Sequence, residues 1–98
     1  MPQPEDCFAG LATTLSDLAR RAEAGYAPVV ESLLADGSED VRNIERTLDG
    51  LLDFCFDAEV LRLFRRLCRR YHELDPAAAA SYVRAYRDMW DAAPDADP

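Results

Sequence analysis

The sequence predicts an all-α fold, a compact antiparallel bundle of about four helices. Three observations predict it. Apolar residues recur at steps of three and four along most of the chain, helix-capping residues punctuate those runs, and no stretch alternates apolar and polar residues as a strand would. The 98 residues suit one domain, 49% apolar for a core and 31% charged for a solvated surface.

The first helix is read from about Pro4, with Phe8, Leu11, Leu15, Leu18 and Ala22 on one face. The count continues through Tyr26, Val29, Val30, Leu33 and Leu34. Pro28 lacks an amide donor and crowds the preceding turn, so the helix is expected to kink or split near Gly25-Pro28. Asp36-Gly37 marks a turn and Ser38 is the expected N-cap of the next helix, followed by Glu39 and Asp40 at its positive end. There Val41, Ile44, Leu48, Leu51 and Cys55 form the stripe, widened by Leu52. Gly50 interrupts it where a neighbouring element can approach closely.

Phe54-Cys55-Phe56 leaves little room for a loop, so either a sharp bend with Asp57 as N-cap or a continuous helix is expected there. The clearest amphipathic segment follows, with Val60, Leu61, Leu63, Phe64, Leu67, Cys68 and Tyr71 on one arc. Asp75-Pro76 is an N-cap followed by a proline in the first turn, and four alanines favour a last helix to about Ala92. Residues 1–92 are thus read as one domain and residues 93–98 as a flexible acidic tail.

Net charge is −8, yet all eleven basic side chains are arginines, a bias that with abundant alanine suits a GC-rich bacterial genome. Arginine forks pair bidentately with carboxylates. The acidic balance disfavours nonspecific adsorption to nucleic acid or anionic membranes and favours cationic partners. The first residues lack the basic start and apolar run of a signal peptide, no apolar stretch has the length of a membrane span, and three cysteines make an odd number. A cytoplasmic protein with free thiols is expected.

Arg62, Arg65, Arg66, Arg69 and Arg70 gather on the polar arc of the third amphipathic helix. Their bland reading is a solvated face paired with Glu59, Glu73 or the acids after Ser38; their functional reading is a site for an acidic partner or phosphate. Direct nucleic-acid binding is the weaker form of that idea, because the chain is acidic and a recognition helix opening with Ala77, Ala78, Ala79 and Ala80 offers no base-edge hydrogen bonds. Conversely, Asp40, Asp49, Asp53, Asp88 and Asp91 are candidates for imitating a phosphate backbone before a basic protein.

Tyr82, Tyr86 and Trp90 step by four along the last helix, with Val83 and Met89 beside them. Core burial is favoured over an interface, with Trp90 the member expected to stay partly exposed. Cys68 and His72, four apart, with Cys55 nearby, fall short of a metal-ligand set. A single histidine and the lack of a phosphate loop or nucleophile motif argue against catalysis, and no cofactor is expected. The sequence therefore reads as a noncatalytic protein-interaction or regulatory module, its partner an unknown protein or a second copy in a homodimer. Arg62, Arg65, Arg66, Arg69, Arg70 and Trp90 are its candidate partner-binding residues.

Overall fold

The computed structural model describes the backbone of residues 4–90 and the side chains of residues 13–90. Four helices make up the fold: α1 (Pro4–Ala35), α2 (Val41–Leu52), α3 (Ala58–Leu74) and α4 (Pro76–Met89). The expected acidic tail and the last turn to Ala92 lie outside the described residues. Helix α1 runs through Pro28 as a single helix rather than two.

α1 closes on Gly37, which adopts the left-handed φ of 59°. Ser38 N–H donates to the Leu33 carbonyl at 3.1 Å and Gly37 N–H to that of Leu34 at 3.3 Å, the paired bonds of a Schellman cap. The next N-cap is Asp40, not Ser38. Its carboxylate accepts from Asn43 N–H at 3.2 Å, while Ser38 Oγ accepts from Asp40 N–H and shapes the turn before the helix. Asp57 caps α3 by accepting from the amides of Glu59 and Val60, so residues 53–57 form a bend and not a continuous helix. Asp75 ends α3 and caps α4 through Ala78 N–H at 3.1 Å, with Pro76 in the first turn.

α3 is the central element, packed against each of the other three, and its arc of Val60, Leu63, Phe64, Leu67, Cys68 and Tyr71 is buried. Against it close Val30 and Leu33 of α1, Ile44, Leu48 and Leu51 of α2, Cys55 of the bend and Ala79 of α4. Polar contacts tie α4 to α2 at the edge of this core. Tyr82 Oη donates to Asp49 Oδ1 at 2.9 Å, and Tyr71 of α3 donates to the Glu45 carboxylate of α2.

Three expectations about apolar faces change. Leu15 and Leu18, read as one face of a bundle helix, are each 43% exposed, because the core takes α1 only from Tyr26 onward, apart from buried Ala19. Val41 stays exposed in the first turn of α2, ahead of the point where that helix meets α3. On α4 the aromatic stripe divides from its neighbours: Tyr82 and Tyr86 pack on the core, whereas Val83 and Met89 remain exposed.

Candidate functional site

The five arginines of α3 do not act as one strip. Arg66 reaches back to α1, where its two Nη atoms donate to both oxygens of Glu31 at 2.6 and 3.0 Å. That fork holds the Glu31 carboxyl below its usual range through the hydrogen bond first. Arg70 is pinned to the α1–α2 turn, with Nη2 donating to the Gly37 and Ser38 carbonyls at 2.7 and 3.1 Å and Nη1 to Glu73 at 2.8 Å. Its Nε is buried without a hydrogen-bond partner among the described residues. Arg62 pairs with Glu59 one turn earlier at 3.5 Å. Arg66 and Arg70 thus fasten α3 to α1 and to the α1–α2 turn, and Arg62 pairs within α3 itself.

Arg65 and Arg69 turn the other way, toward α4. The α3–α4 hairpin folds back at Asp75-Pro76, so a turn before the corner meets a turn after it, and Arg84 and Arg87 come to stand across from Arg65 and Arg69. His72 joins them. The five basic side chains rim a groove of about 800 Å³ whose floor is Leu61, Phe64, Cys68, Ala79, Val83 and Tyr86. The Phe64 and Tyr86 rings meet there with centroids 6.1 Å apart.

None of the four groove arginines makes an ion pair or hydrogen bond with another described residue. Arg65 and Arg69 are four apart on one helix, and Arg84 and Arg87 three apart on the next, spacings at which like charges repel. An acidic protein thus concentrates positive charge, unpaired among the described residues, beside an apolar floor. Arg84 and Arg87 were legible only as the polar arc of α4; their place opposite Arg65 and Arg69 follows from the hairpin.

Cys68 lies under this groove but is 7% exposed, and burial pushes its thiol up to about 11. The flanking arginines do not offset that burial, since Arg70 points to the α1–α2 turn and Arg69 to the rim. Cys55 is likewise pushed up to about 12, by burial first and by the neighbouring Cys68 second, and its Sγ donates to the Leu51 carbonyl at 3.4 Å. Both thiols are protonated at neutral pH and pack as small apolar groups. Among the described residues no group of three or more His, Cys, Asp or Glu side chains is placed to hold a metal ion.

Trp90, the remaining candidate, caps α4 at 39% exposure, its Nε1 donating to the Leu52 carbonyl at 2.7 Å and its ring 5.6 Å from that of Phe56. Phe54 continues this cluster 6.3 Å from Phe56, which closes the end of the bundle. Of the carboxylates considered as phosphate mimics, Asp40 is held as a cap and Asp49 by Tyr82, while Asp91 lies outside the described residues. No helix of the described chain is long and apolar enough to cross a membrane. Comparison with protein-family models, with curated proteins and with solved structures finds no match.

Proposed function

We propose that the protein is a noncatalytic interaction module whose α3–α4 groove receives an acidic, amphipathic helical segment of a partner protein. The observation that carries this reading is the gathering of four arginines, none of them paired with another described residue, around an apolar floor between α3 and α4. A helix laid in such a groove buries its apolar face on Leu61, Val83 and Tyr86 and meets Arg65, Arg69, Arg84 and Arg87 with carboxylates on either side. Arginine suits the role because its fork takes a carboxylate bidentately, and a charge-matched rim speeds encounter and rejects basic competitors.

The same unpaired arginines support a second reading, phosphate binding on nucleic acid. The net charge of −8 weighs against it, since repulsion from the rest of the surface opposes approach to a polyanion. Fluorescence anisotropy with a labelled Leu/Glu amphipathic helical peptide and with a labelled duplex oligonucleotide separates the two. The peptide is expected to bind, more weakly as salt rises, and Arg65→Glu combined with Arg69→Glu should reduce its affinity at least about tenfold with helix content unchanged. Tighter binding of the oligonucleotide would transfer the site to nucleic acid. Binding of neither probe would overturn the groove as a binding site.

A further inference from the structure

We propose that the front of α1 is a dimerisation arm that pairs antiparallel with the same helix of a second copy. At 32 residues, α1 is about 48 Å long, nearly twice the length of α3. The core cluster uses its last third, from Tyr26 through Leu34, with Ala19 buried ahead of it. Ahead of that third, Leu15 and Leu18 are each 43% exposed, and Val29 beside it is 37% exposed.

The exposed leucines belong to a pattern. Leu15, Leu18, half-buried Ala22, Gly25 and Val29 follow steps of three, four, three and four, the repeat of a coiled-coil seam, which keeps one face toward a neighbouring helix over several turns. The cover that this face fits is therefore another helix. A Cβ added at Gly25 would meet no atom within 4 Å, so open space lies over the small end of the seam.

The seam is complementary to itself when reversed. In the antiparallel register that sets Leu15 level with Gly25 of the second copy, Leu18 falls level with Ala22. Two layers then pair a large residue with a small one, and the layers interdigitate. Parallel pairing would instead set Gly25 against Gly25 and Ala22 against Ala22, leaving a void beside crowded leucines. The antiparallel arrangement also opposes the two helix dipoles. Arg21 of each copy then approaches the axis from the flank of the seam, next to the Arg20–Asp17 ion pair of its own helix. The pairing uses no residue of the α3–α4 groove, so it stands or falls apart from the groove reading.

Size-exclusion chromatography with light scattering across protein concentrations tests the arm on the full chain. The expected result is a dimer that Leu15→Glu combined with Leu18→Glu converts to monomer, raising the dissociation constant at least about a hundredfold with the circular dichroism of a folded bundle retained. Because both leucines are exposed in the single chain, the variant should fold; a thermal melt matching that of diluted wild type checks this. Orientation is read by mixing Leu15→Cys and Gly25→Cys chains in a Cys7→Ser background. Oxidation should join unlike chains and leave each chain alone uncrosslinked. A wild type that stays monomeric, a dimer that survives the glutamate pair, or crosslinking of Leu15→Cys to itself would each overturn the proposal.

Discussion

The phenol of Tyr26 on α1 lies across Gly50 on α2 so closely that a Cβ at position 50 would overlap the Tyr26 hydroxyl and Cζ. Glycine in mid-helix weakens α2 relative to alanine, so its presence here reflects that approach rather than local preference. The ring takes the place of a side chain and joins α1 to α2 at the margin of the core.

Gly50→Ala should accordingly destabilise the protein by about 1–3 kcal/mol, the overpacking cost outweighing the better helix propensity. Gly10→Ala is the control, since a Cβ there meets nothing within 4 Å and α1 should gain by up to about 1 kcal/mol. Urea denaturation midpoints of the two variants should move in opposite directions. Equal movement would mean that the Tyr26 ring swings aside without cost.

How far the sequence carries is visible in these contacts. The four helices and the Asp57 and Asp75 caps are local signals, written in steps of three and four and in capping chemistry, whereas the ring that requires Gly50 comes from another helix. Ser38 was a false cap because Ser38, Glu39 and Asp40 stand together, and only the fold selects among them. The arginines of α3 were legible as a polar arc but not as two groups. Arg66 answers to Glu31, 35 residues earlier, and Arg65 answers to nothing until the hairpin brings Arg84 across. Likewise the apolar stripe of the first helix is plain in the sequence, whereas the exposure of Leu15 and Leu18 is a property of the assembled bundle.

Asp75 joins the two walls of the groove. Its backbone amide closes α3 on the Tyr71 carbonyl at 2.8 Å while its carboxylate opens α4. Asp75→Ala should cost about 0.5–2 kcal/mol in a chemical melt, as loss of an N-cap does. It should also weaken acidic-peptide binding several-fold at a temperature where the chain remains folded, because Arg84 and Arg87 ride on the second half of the helix whose start, and so whose direction against α3, this cap sets. Asp75→Asn, which keeps an acceptor, should restore most of both. Stability lost with peptide affinity intact would separate the cap from the groove.

Alkali should unfold the protein through groups that the fold keeps protonated. Burial raises Cys68 from 9.0 to about 11 and Cys55 from 9.0 to about 12. Tyr71, raised from 10.0 to about 12, owes its shift first to the bond it donates to Glu45 and then to burial. For an acid whose folded value is raised, the contribution to stability is complete below the unfolded value and declines as pH climbs toward the folded one. The melting temperature should therefore hold from neutrality to about pH 9, then fall continuously toward pH 12. Tyr71→Phe should flatten the part of that fall above pH 10, where the phenol of the unfolded chain begins to ionise. A profile unchanged by the substitution would remove Tyr71 from the account.

Trp90 tests whether the aromatic end of the bundle is structure or interface. Its ring packs on Phe56 and its indole N–H is spent on the Leu52 carbonyl, which fixes the end of α4 to the end of α2. Trp90→Phe keeps an aromatic ring and removes the donor, and should cost about 0.5–1.5 kcal/mol. Trp90→Ala removes both and should cost about 2 kcal/mol, less than a fully buried tryptophan because 39% of the residue already meets solvent. Neither change touches the groove rim or the front of α1, so acidic-peptide affinity and the oligomeric state should match wild type in both variants once they are compared below their melting transitions. If Trp90→Ala instead lowered peptide affinity or broke the dimer while leaving the melt unchanged, the exposed edge of the indole would be a contact surface and the Leu52 bond a minor one.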